Sequence, residues 1–184
     1  MKKSLGVKPY MFPQPVLILA SYDENGKPDA MNAAWGGIIE NDEIVISLSS
    51  HQTTDNIHNR KAFTVSMGTA ETTVSCDYVG VVSQKKESDK MNIAGFTVTK
   101  SETVDAPVIN ELPLALECEF KAEYDGKVIG KIKNVVADES ILTPDGKVDI
   151  TKLDPICFDI SGNAYYKLGE KTGDAFKCGL TLKK

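Results

Sequence analysis

The stretch "ALECEFKAEYDGKVIGKIKNVVA" (115–137) decides the fold class. Two runs rich in β-branched and aromatic residues flank Asp125-Gly126, a pair that accepts the positive φ of a primed two-residue turn. The pattern predicts a long antiparallel hairpin, with strands 115–124 and 127–137. Working outward, similar runs recur at "VLILASY" (16–22), "EIVISLS" (43–49), "AFTVSM" (62–67) and "FTVTKS" (96–101). Turn signals separate them: "ENG" at 24–26, "END" at 40–42 and "PDG" at 144–146. Only short helices fit between, at about 54–61, 72–82 and 88–94, the last capped by Ser88 and ended by Gly95. A doubly wound parallel sheet would need a longer helix between every pair of strands. The expected fold is mainly β: an antiparallel, Greek-key-like barrel with a few short helices.

The chain of 184 residues shows no internal repeat, low-complexity tract or linker-like shift, so residues 1–184 read as a single domain. A net charge of −5 and a pI near 5.1 give no basic field for nucleic acid or an anionic membrane surface. Pro9, Pro13 and Pro15 interrupt the early apolar run, which makes a poor secretory signal. No window reaches the ~20 apolar residues that a bilayer span needs. A cytoplasmic location is the simplest expectation. Cys76, Cys118, Cys157 and Cys178 are scattered without paired spacing, and His51 and His58 alone cannot assemble a multi-histidine metal centre.

The segment "MNAAWGGIIENDEIVISLSSHQTTDNI" (31–57) collects the only Trp, a Gly pair and a hydroxyl-rich turn. Residues 29–35 read as a strand whose small alanines let a flat ring lie near the backbone, with Asn32 offering a donor and an acceptor. Gly36 and Gly37 read as a sharp turn or bulge. Taken alone, Trp35 reads first as a core or interface aromatic. The passage from strand to helix at "SLSSHQTT" suits a phosphate, because helix N-termini present unpaired N–H groups and partial positive charge. Ser50, Thr53 and Thr54 are candidates there, although Thr53 or Thr54 could be ordinary caps and His51 an exposed turn residue. Lys85, Lys86 and Lys90 share one loop, and the first two read as solvated.

Taken in order, "PQPVLILASYDENGKPDAMNAAWGGI" (13–38), "SLSSHQTTDNIHNRKAFTVS" (47–66), "DYVGVVSQKKESDKMNIAGF" (77–96), "LPLALECEF" (112–120) and "YYKLGEKTGDAFKCG" (165–179) resemble the flavin reductase-like family, in its flavoredoxin branch. The resemblance implies an FMN-binding split barrel, a homodimer with each flavin near the subunit interface, and NAD(P)H as a transient reductant. It places the ring against Asn32, Ala33, Ala34 and Trp35. It places the phosphate near Ser47, Ser49, Ser50, His51, Thr53, Thr54 and Lys90. Gln84 and His51 depart from the family pattern, which has glycine and frequently arginine there. The expected activity is that of an NAD(P)H-dependent flavin reductase or related FMN oxidoreductase, with a redox protein as a downstream partner. No side chain reads as catalytic, since the flavin carries the chemistry. A non-enzymatic FMN-binding carrier and a barrel without cofactor are the alternatives.

Overall fold

In the computed structural model, which describes residues 1–183, the chain begins with β1 (Gln14–Pro15), β2 (Leu17–Tyr22), β3 (Pro28–Ala33), β4 (Gly36–Glu40) and β5 (Glu43–Ser47). It continues through α1 (Gln52–Arg60), β6 (Ala62–Met67), α2 (Thr73–Val81), α3 (Lys90–Ile93), β7 (Val98–Lys100) and β8 (Pro107–Ile109). The long hairpin is β9 (Leu114–Tyr124) and β10 (Lys127–Ala137), followed by α4 (Ile150–Leu153), β11 (Ile156–Asp159) and β12 (Ala164–Lys167). Asp125 and Gly126 turn that hairpin at φ 51° and 70°, as their composition predicted.

The main sheet has seven antiparallel strands in the order β3-β2-β6-β9-β10-β5-β4, and it curls into a split barrel. Helix α1 carries the chain across from β5 to β6, and its Ile57 plugs the interior. β2 is apolar along most of its length because both its faces are covered. Leu17 and Leu19 point into the barrel with Phe63, Val65, Ile44 and Ile46, while Ile18 and Ala20 pack outside against Cys76 and Val79 of α2 and Met91 of α3. Gly130 leaves room for the fully buried Phe63 ring: a Cβ there would lie 2.5 Å from the ring's Cζ.

β3 and β4 are neighbours in sequence yet occupy opposite edges of the sheet. Among the described residues no ladder joins them, and Ala34 and Trp35 bridge the gap in the barrel wall.

Several expectations shift. The strand predicted at 29–35 ends at Ala33, and Gly36 and Gly37 belong to a strand instead of a turn, with the register irregularity falling between Ile38 and Glu40. Gly36 is needed for close packing, since a Cβ would meet the Val45 carbonyl oxygen at 2.8 Å. Helix α1 starts two residues earlier than predicted, and α3 is preceded by Asp89 in place of Ser88. Gly95, at φ 74°, ends that segment as expected. The strand predicted at 96–101 shrinks to β7, which pairs with β8 in a separate small sheet. Strands β1, β11 and β12, a third sheet, carry too few residues for a periodic signal. No helix among the described residues is long and apolar enough to cross a membrane.

Candidate functional site

The strand-to-helix passage is built from the backbone outward. After β5, residues Leu48–His51 turn into α1, with His51 at the N-cap position in extended conformation. His51 makes no side-chain capping bond, so the first-turn N–H groups are left for another acceptor. Thr54 Oγ1 instead donates back to the Ser49 carbonyl at 2.9 Å and ties the loop together. Ser49 Oγ and His51 Nε2 lie 2.8 Å apart.

Against this helix start lies a hollow of ≈ 200 Å³, lined by Asp29, Met31 and Asn32 of β3, His51, Gln52 and Thr53, residues Val79–Gln84, and Lys90. Lys90 is only 3% exposed, and its Nζ donates to Asp29 Oδ1 at 3.0 Å. Thr53 Oγ1 donates to the other carboxylate oxygen at 2.7 Å. Gly80 makes the hollow compact, since a Cβ on it would sit 2.8 Å from the Cβ of Asn32.

A second hollow of ≈ 260 Å³ continues along the same strand and shares Met31, Asn32 and His51 with the first. Ala33, Ala34, Trp35, Ser47, Leu48, Ser49, Phe158 and Ile160 complete it. The alanines expose backbone, whereas Phe158 and Ile160 supply an apolar wall. Trp35 is 54% exposed, so it is no core residue of this chain. It also lines an apolar hollow of ≈ 570 Å³ with Tyr10 and Met11 of the N-terminal arm.

Asn32 Nδ2 donates to the Cys76 carbonyl at 3.3 Å, which fixes α2 against β3. Nearby, Tyr165 of β12 donates to Asp77 Oδ1 at 2.8 Å. Burial and this carboxylate push the Tyr165 phenol up to about 12, because both disfavour the phenolate.

Of the residues singled out from sequence, Asn32, His51, Thr53 and Lys90 meet at the first hollow. Asn32, Ala33, Ala34, Trp35, Ser47, Ser49 and His51 meet at the second. Ser50 and Thr54 line neither; Ser50 is exposed and the Thr54 hydroxyl is spent inside the loop. Lys85 is an exposed partner of Asp55 at 3.2 Å, in keeping with its reading as a solvated side chain. Asp29, Gln52 and Gly80 went unrecognised, along with Phe158 and Ile160. Only Gly80 carried a cue, as a glycine inside a helical pattern.

The arrangement suits a ligand with an anionic end and a flat end. A buried ammonium and an open helix start serve the first, and a strand of small residues with an aromatic wall serves the second. Residues 10–150 match the sequence model of a family described as "Flavin reductase like domain". No curated protein matches the chain. Among solved structures, the flavoredoxin of Desulfovibrio vulgaris (Miyazaki F) is 37% identical, covers 97% of this chain and 100% of its own, and superposes with a TM-score of 0.93. A flavoredoxin from Methanosarcina acetivorans is 27% identical over 98% of this chain and 100% of its own, with a TM-score of 0.87. An FMN-binding domain of a flavin reductases-like enzyme from Shewanella baltica, 17% identical over 88% of this chain and 89% of its own, shares the fold with a TM-score of 0.78.

Proposed function

Because the chain belongs to the flavin reductase-like family, we propose that it is an FMN-binding oxidoreductase of the flavoredoxin type. It takes reducing equivalents from NAD(P)H and passes them to a downstream acceptor, either free flavin or a redox protein. One observation carries this reading: a buried ammonium and an uncapped helix start face the same hollow, which runs on into a second one along Met31–Trp35. That donor set fits FMN, whose phosphate monoester carries close to two negative charges at neutral pH.

Bound flavin supplies the hydride and electron-transfer chemistry. The chain's own residues bind and orient. Lys90 and the first-turn N–H groups of α1 hold the phosphate, each charged hydrogen bond contributing about 1.5–3 kcal/mol. Ala33 and Ala34 admit the ring edge to the backbone. Trp35, Phe158 and Ile160 bound the ring's apolar surface. The exposed face of Trp35, with Ile38 and Ile39 on the edge strand β4, supports a homodimer that covers this side of the site.

The test is a flavin titration followed by stopped-flow reduction. Purified protein freed of flavin is expected to bind FMN and quench its fluorescence, and NADH or NADPH is expected to bleach the bound flavin. Absence of FMN binding refutes the reading. Binding without bleaching by either donor reduces the protein to an electron carrier.

A further inference from the structure

Asp29 sits in the hollow that the proposed function assigns to phosphate, and it is 1% exposed. Its two carboxylate oxygens are both engaged, one by Lys90 Nζ at 3.0 Å and the other by the Thr53 hydroxyl at 2.7 Å. Thr53 lies in the first turn of α1 and Lys90 at the start of α3. Asp29 therefore engages, from β3, the ammonium and the first-turn hydroxyl that an anion bound in this hollow would use. A burial this deep is tolerable for Lys90 only while an anion accompanies it.

We propose that Asp29 is the resident counter-ion of this hollow: it holds Lys90 in place while the hollow is empty and then competes with the flavin phosphate, keeping FMN exchangeable. This rests on reading the hollow as the phosphate site. A fixed negative charge there repels a dianion, and it shares the ammonium that the dianion needs. The uncharged flavin without a phosphate, riboflavin, would not feel that competition.

Asp29→Asn keeps the shape and an oxygen for Lys90 while removing the charge. Binding of FMN and of riboflavin is measured by flavin fluorescence on protein freed of cofactor, and the melting temperature is followed with inorganic phosphate. The expected result is FMN affinity raised about tenfold, equivalent to ~1.4 kcal/mol, with riboflavin affinity unchanged and a larger phosphate-induced rise in melting temperature than in the native protein. FMN affinity that is unchanged or lower overturns the counter-ion role. Lys90→Met separates that failure from failure of the underlying reading. If it weakens FMN but not riboflavin, the phosphate site stands whatever Asp29 does; if it affects neither, the phosphate assignment itself falls. Should Asp29→Asn fold poorly, the double variant Asp29→Asn/Lys90→Gln replaces the ion pair with two neutral amides. It is expected to bind FMN more tightly than Lys90→Gln alone, and weaker or equal binding overturns the proposal.

Discussion

Replacing Gly80 with alanine sets two calculable effects against each other. Gly80 is the penultimate residue of α2, where a Gly→Ala change gains at most about 1 kcal/mol of helix propensity. The added Cβ, however, would lie 2.8 Å from Asn32 Cβ and 3.7 Å from its Cγ. Ordinary carbon contacts lie at ~3.5–4.0 Å, so α2 must back away from β3 by roughly 1 Å. Such overpacking costs about 1–3 kcal/mol. Stretching the bond from Asn32 Nδ2 to the Cys76 carbonyl, already 3.3 Å long, takes away up to about 1 kcal/mol more. Set against that gain, the combined cost of about 1–4 kcal/mol leaves a net destabilisation of up to about 3 kcal/mol. At ~2–4 °C per kcal/mol for a domain of this size, the melting temperature falls by up to about 12 °C. Circular dichroism melting checks this, and FMN titration of the same variant should show weaker binding because Gly80 lines the first hollow. A melting temperature above the native value would refute the close approach of α2 to Asn32. Gly37→Ala, with nothing within 4 Å of its added Cβ, is the control that should leave the fold intact.

Tyr165, pushed up to about 12 from an ordinary 10, should be among the last tyrosines to ionise in an ultraviolet titration of the folded protein. Between those values the folded state holds a proton that the unfolded state has lost, so stability falls as pH rises through that window, and Tyr165→Phe should flatten the fall. Gly126→Ala places a side chain at φ 70° and 3.0 Å from the Leu48 carbonyl oxygen, so it should destabilise the hairpin by about 1–2 kcal/mol, read by urea unfolding. A thiol reagent should label exposed Cys178 fast but reach the fully buried Cys76 and Cys118 only on unfolding; burial also pushes the Cys118 thiol up to about 12, which removes its thiolate at neutral pH. Fast labelling of four thiols in the folded protein would contradict that burial.

The parts legible in the sequence are those with local physical causes. The β9–β10 hairpin is announced by its Asp125-Gly126 turn, and the doubly covered strand β2 by its continuous apolar run. The candidate site was legible where a residue type is matched to the hollow's chemistry, as with the cation Lys90 or the small Ala33 and Ala34, all of which line the two hollows. What escaped depends on long-range geometry. Gly36 looked like a turn residue, whereas its smallness serves the approach of Val45 and Leu17 from elsewhere in the barrel. Asp29 drew no separate reading within the strand expected at 29–35, because its two partners lie 24 and 61 residues away in sequence. Phe158 and Ile160 reach the second hollow only after β11 has paired with β1.

The gap between β3 and β4 has a mechanical consequence. A molecule lodged along Met31–Trp35 and against Ser47 would fasten the first stave of the barrel to the last two, closing a hoop that the backbone leaves open. The resulting tightening would be felt around the whole circumference, with amide exchange slowing in strands as remote as β9 as well as in the loops that touch the ligand.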